Sequence, residues 1–102
     1  MLEKDIERKL RQRLEAMGCL CLKFESPGFA GVPDRIVMMP GGELFFVELK
    51  APGQRERPRQ EYVQRIFRRM GFMVMSSVSS EEGINEVCRL AASYLPTESV
   101  GW

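Results

Sequence analysis

Histidine is absent from the 102-residue sequence, and cysteine occurs only three times. The first absence removes any imidazole general base, and the scarcity of soft ligands argues against a structural zinc site or a disulfide scaffold. Cys19 and Cys21 stand two apart in an expected strand and share a face, but no further ligands accompany them. They read as small packing hydrophobes. No apolar run approaches the ~20 residues of a transmembrane helix, and the opening Met-Leu-Glu-Lys-Asp-Ile lacks a secretory pattern. A cytoplasmic protein without membrane contact is therefore expected. Low-complexity tracts, linkers and internal repeats are also missing, which favours one compact domain over residues 1–102. Any hydrolytic chemistry in such a chain must run on carboxylates, lysine and a metal ion.

What is present is ordinary in bulk, with 44% hydrophobic and 28% charged residues, the balance of a soluble globular domain. Its informative stretch is residues 31–50. Two apolar runs, Arg35 to Met39 and Leu44 to Leu49, flank Pro40-Gly41-Gly42, the pattern of a hairpin with a short glycine turn. Asp34 opens the first run, while Glu48 and Lys50 close the second. Folding the hairpin thus gathers three charges at the end away from the turn. Glu48 and Lys50 share a face with Phe46, because alternate side chains of a strand point the same way. Asp34 joins that face if Met39 pairs with Glu43 across a three-residue loop, and lies on the other face for loops of two or four. Gly42 supplies the left-handed residue that three-residue loops need.

Two carboxylates on one face repel unless a cation or a shared proton lies between them. Mg²⁺ suits such a pair, since it takes oxygen ligands and combines one or two carboxylates with substrate phosphates. Lys50 is then placed to orient or help deprotonate a water attacking a phosphodiester. Spacing alone is equally satisfied by a structural salt bridge between Lys50 and either acid.

The net charge of +1 hides an uneven distribution. Residues 50–69 hold Lys50, Arg55, Arg57, Arg59, Arg65, Arg68 and Arg69 against Glu56 and Glu61, whereas residues 76–102 hold Arg89 against Glu81, Glu82, Glu86 and Glu98. A basic stretch directly after the carboxylates suits a polyanion, although a solvated helix face has the same composition.

In chain order, Leu2, Ile6, Leu10, Leu14 and Met17 predict an amphipathic helix over 3–17, stopped by Gly18. At ~100° per residue, Glu3 falls about 40° from the centre of that stripe and Glu7 about 80°. Acids in a first turn also simply complement the helix dipole. Residues 19–25 read as a strand in which Leu20, Leu22 and Phe24 alternate with Cys19, Cys21, Lys23 and Glu25. The loop Ser26 to Gly31 leads to Asp34, and its Phe29 either stacks on a base or tucks under its own loop. Ala51 to Arg57 read as a polar, flexible connection. A helix follows from Pro58 to Gly71 with a buried stripe of Val63, Ile66, Phe67 and Met70, and Gln60 lies on its inward face. Phe72 to Ser76 read as a fourth strand, Ser79 with Glu82 as a capping box, and Ile84, Val87, Cys88, Ala91, Tyr94 and Leu95 as the apolar face of a last helix. The order helix, three-stranded meander, helix, strand, helix predicts an α/β fold. Trp102 ends the chain without an obvious partner.

Pro33-Asp34, thirteen further residues and Glu48-Leu49-Lys50 resemble the motif of the PD-(D/E)XK nucleases. Gly31-Val32-Pro33-Asp34, Phe46-Val47-Glu48-Leu49-Lys50 and Gln60 together resemble the virus-type replication-repair nuclease (VRR-NUC) domain over roughly residues 3–80. The resemblance implies a restriction-endonuclease-like core and a Mg²⁺-dependent endodeoxyribonuclease, with Mn²⁺ as substitute. It implies that Asp34, Glu48 and the Leu49 carbonyl hold the metal, that Glu3, with Glu7 in reserve, assists from the first helix, and that Lys50 and Gln60 complete the catalytic set. Lys23, Phe29, Arg35, Arg55, Arg57 and Arg59 are the expected DNA contacts. Stand-alone domains of this kind imply a phage or bacterial setting, a homodimer, and branched DNA such as a four-way (Holliday) junction as substrate. The alternatives are a nuclease acting on flaps or other DNA structures, a non-catalytic DNA-binding module, and a dimeric interaction protein using its methionine-rich surface.

Overall fold

A computed structural model describes residues 2–96; Trp102 lies outside them. Seven elements follow in the expected order: α1 (Glu3–Ala16), β1 (Leu20–Lys23), β2 (Arg35–Met38), β3 (Leu44–Leu49), α2 (Pro58–Arg69), β4 (Val74–Val78) and α3 (Glu81–Tyr94). The strands form one sheet in the order β1-β2-β3-β4, antiparallel between the first three and parallel between β3 and β4. The parallel pairing follows from α2, a crossover long enough to return the chain beside β3 in the same direction. Among the described residues no helix is long and apolar enough to cross a membrane.

The period-2 rule decides which residues of the sheet meet which helix. Cys19, Cys21, Val37, Phe45, Val47 and Leu49 join Ile6, Leu10 and Leu14 of α1 and Ile84, Val87, Cys88 and Ala91 of α3 in the main core. Burial pushes the Cys21 thiol up to about 11, so it behaves as a hydrophobe. On the opposite face Phe67 of α2 packs against Phe24, Phe46 and Phe72 with ring centroids 4.8–6.4 Å apart. Leu20 and Leu22 are 45% exposed and Met38 41%. On β1 the cysteines rather than the leucines face the main core.

The expected boundaries shift in two places, for one reason. Phe46 pairs with Val74 and Val47 with Met75, but Leu49 pairs with Val78, so β4 carries one extra residue opposite Glu48. Ser77 has φ +57° in that bulge, and the Glu56 carboxylate accepts hydrogen bonds from its amide (3.0 Å) and hydroxyl (3.1 Å). The strand therefore runs to Val78. The cap of α3 moves from the expected Ser79 to Ser80, whose hydroxyl accepts from the Gly83 amide at 3.1 Å. The connection over 51–57 is tethered through Glu56 rather than free. On α2, Val63 and Gln64 are the buried pair, whereas Met70 is 71% exposed. Leu2, placed by its spacing in the α1 stripe, is 62% exposed as the residue preceding the helix.

Candidate active site

The β2–β3 hairpin adopts the three-residue loop. Arg35 pairs with Val47 and Met38 with Leu44, and the Met39 amide donates to the Glu43 carbonyl at 2.9 Å. Gly41 and Gly42 take φ of +104° and +91°, values that only glycine adopts without strain. Extending the register by one residue sets Asp34 opposite Glu48, and alternation points both carboxylates to the α2 side.

Each side chain is fixed by a neighbour of different origin. Asp34 Oδ2 accepts from the Leu49 amide at 2.8 Å, and its backbone carbonyl accepts from the Phe24 amide at 2.8 Å. Ahead of it, Gly31 has φ +93°, and a Cβ there would meet Arg59 Cγ at 2.9 Å and the Arg59 carbonyl oxygen at 3.0 Å. The loop is thus seated on the first turn of α2. From that turn Gln60 reaches the sheet. Its Nε2 donates to Glu48 Oε1 at 3.3 Å, while its Oε1 accepts from Lys50 Nζ at 2.8 Å and from the Arg57 amide at 2.9 Å. One amide therefore caps the helix and joins the acid to the lysine. Lys50 Nζ stands 3.9 Å from Glu48 Oε1, so the ion pair is looser than the bridge through Gln60.

Glu48 is 1% exposed, and among the described residues no N–H or hydroxyl group donates to its Oε2, which leaves the neighbouring Asp34 carboxyl to share a proton with it. Burial first, and then Asp34 through hydrogen bonding and charge, pushes its carboxyl up to about 9; Lys50 opposes this only in part. An acid so placed keeps its proton near neutrality unless another cation replaces it. A buried oxygen without a donor, beside a second carboxylate on the same face, fits a hard divalent ion. Asp34, Glu48 and the backbone at Leu49 would hold it.

The other candidates separate into groups. Arg35 points to the α1 side, donating to the Cys21 carbonyl at 3.1 Å and pairing with Glu7. Its side chain is 11% exposed, so it is engaged within the fold, apart from the exposed arginines. Glu3 is half-buried in the first turn of α1. Among the described residues no three Asp, Glu, His or Cys side chains are grouped closely enough to hold one ion, so neither Glu3 nor Glu7 joins Asp34 and Glu48 in direct contact. Arg55, Arg57 and Arg59 are exposed around the start of α2, and Phe29 is exposed in the loop between β1 and β2. Lys23 is exposed on β1, 3.5 Å from Glu25.

Three residues have a part that the sequence reading did not give them. Glu56 holds the bulge opposite Glu48, and bulges beside functional sites re-aim neighbouring side chains. Gln64, one turn beyond Gln60, is 1% exposed with its Nε2 unpartnered. Tyr62 stacks on Arg59. Only Gln64 left a signal, a polar residue four positions from Gln60 on the same helix face.

A mixed sheet whose antiparallel hairpin carries Asp and Glu-X-Lys to one end, beneath a helix bearing a glutamine, has the architecture of the PD-(D/E)XK nuclease class. A solved structure described as a VRR_NUC domain matches with a TM-score of 0.78 and 30% identity, over 85% of this chain and 94% of that one. The chain belongs to the VRR-NUC family. It is also 47% identical over 58 residues to "Putative nuclease p44" of Acyrthosiphon pisum secondary endosymbiont phage 1, a match spanning 57% of this chain and 62% of that protein. The matched segment thus covers less than two thirds of that relative. No family model matches the chain.

Proposed function

We propose that the protein is a Mg²⁺- or Mn²⁺-dependent endodeoxyribonuclease that hydrolyses phosphodiester bonds in branched DNA, with a four-way junction as first substrate. The observation that carries this reading is Glu48 Oε2, a buried oxygen without a donor, in a carboxyl paired with Asp34 and linked through Gln60 to Lys50. Asp34, Glu48 and the Leu49 carbonyl would hold the ion, with Glu3 assisting through water; Glu7, the reserve candidate, is instead engaged by Arg35 on the opposite face of the sheet. When bound, the ion neutralises charge on the phosphate and lets Glu48 ionise. Lys50, with its side chain only 12% exposed and fixed by Gln60, orients the attacking water, and Gln60 keeps lysine and glutamate in register. The exposed Arg55, Arg57 and Arg59 neutralise flanking phosphates. A homodimer presents two such sites to two strands, as a junction requires. A cytoplasmic setting, in a bacterium or a phage-infected cell, accords with this reading.

The test compares wild type with Lys50→Ala on linear, flapped, bubbled and four-way DNA, with and without Mg²⁺. Cleavage that requires Mg²⁺, is fastest on the junction and falls at least about 10²-fold in the variant supports the proposal. Preference for a flap moves the substrate assignment, and cleavage unchanged by Lys50→Ala refutes the mechanism.

A further inference from the structure

Arg59 is held in an unusual way for an exposed arginine. Its guanidinium carbon lies 4.7 Å from the Phe29 ring centroid and 5.4 Å from that of Tyr62, and its Nε donates to the Ala30 carbonyl at 2.9 Å. Two rings and a carbonyl fix the planar group, while its terminal nitrogens have no hydrogen-bond partner among the described residues. The rings themselves remain open to solvent, Phe29 at 39% and Tyr62 at 48% exposure. Covering a loop phenylalanine needs only the arginine's aliphatic stem. A second ring and an unpaired guanidinium edge go beyond that need.

The stack belongs to the same rigid piece as the candidate active site. Phe29 and Ala30 lie on the loop that ends at Asp34, and Arg59 immediately precedes Gln60. Gly31 seals the two together, its backbone lying against the Arg59 stem and carbonyl with no room for a Cβ. Whatever the stack holds is therefore held at a fixed offset from the carboxylates.

We infer that Phe29, Arg59 and Tyr62 form a subsite for one nucleotide left unstacked at a branch point of the DNA substrate. The Arg59 terminal nitrogens take its phosphate, and an exposed ring face takes its base. An aromatic face beside a pre-oriented cation matches a base with its adjoining phosphate, and any base offers a stacking surface. In continuous duplex both faces of each base are already occupied, so the subsite selects strands with an unstacked nucleotide next to the cleaved bond. This rests on the DNA-cleaving reading above and narrows it to the substrate class.

The experiment measures equilibrium binding of two fluorescent single strands, oligo-dT and the same strand with abasic positions, in EDTA so that no hydrolysis intervenes. Wild type is expected to prefer oligo-dT by at least about fivefold. Tyr62→Leu and Phe29→Leu each reduce the preference to within about twofold, and Arg59→Lys, which keeps the charge but not the planar stack, lowers it as well. Tyr62→Leu lies on the helix rather than the loop, and thermal melting establishes that each variant is folded. A preference retained by both folded ring variants, or absent from wild type, overturns the subsite. Because hydrolysis is not read, a protein that shows the ring-dependent preference yet cleaves no DNA sinks the nuclease reading alone. One that cleaves through Lys50 without the preference sinks the subsite alone.

Discussion

Gln60 accepts a hydrogen bond from Lys50 Nζ at 2.8 Å and donates one to Glu48 at 3.3 Å. The same oxygen accepts from the Arg57 amide, so the start of α2 and the lysine share one acceptor. Gln60→Ala is expected to lower stability by about 1–2 kcal/mol, from a lost cap and a lost buried bridge. It is expected to slow cleavage by about 10²-fold, because Lys50 loses its fixed position. Gln60→Glu keeps the acceptor for Lys50 and Arg57 but removes the Nε2 donor to Glu48. Urea melts together with single-turnover rates separate the two effects.

Glu48 sets the pH dependence of the metal-free protein. Its carboxyl is pushed from 4.5 up to about 9 on folding, so above pH 4.5 the folded chain keeps a proton that the unfolded chain releases. Stability from this group is full below 4.5 and declines as pH rises towards 9. Thermal melts in EDTA at pH 5, 7 and 9 should show that fall, Glu48→Gln should flatten it, and Mg²⁺ should restore part of the loss at pH 9. A wild-type profile without the decline would mean that Glu48 is ionised without a cation.

Gly31 and Gly41 provide a matched pair. Both have positive φ, but a Cβ at Gly31 meets Arg59 and Val63 at 2.9–3.1 Å, whereas at Gly41 it meets nothing within 4 Å. Gly41→Ala should cost about 1–2 kcal/mol of backbone strain and leave cleavage intact. Gly31→Ala adds a clash with backbone, is expected to cost about 3 kcal/mol or more, and displaces the loop leading to Asp34. Denaturant midpoints and cleavage rates for the two variants check the contrast.

The hairpin was legible in the sequence because its determinants are local. Pro40-Gly41-Gly42 admits a three-residue loop, and alternation then assigns Asp34 and Glu48 to one face. Gln60 was legible from helical spacing. What was not legible depends on residues far apart in the chain. Glu56 shapes β4 through Ser77, twenty-one residues on, and so displaces the α3 cap from Ser79 to Ser80. Leu20, Leu22 and Met38 resemble core residues in the sequence, but they lie on the α2 side of the sheet and remain exposed. Arg35, expected from the sequence as a DNA contact beside Asp34, is instead drawn inward by Glu7 and the Cys21 carbonyl.

The central claim is that Asp34 and Glu48 share one divalent ion. Calorimetric titration of Mn²⁺ into the metal-free protein at pH 7, repeated in buffers of different ionisation enthalpy, tests it most directly. One ion should bind with release of close to one proton, the one Glu48 holds, and both Asp34→Asn and Glu48→Gln should abolish binding. Mn²⁺ binding that persists in either folded variant, or that releases no proton from wild type, would contradict it.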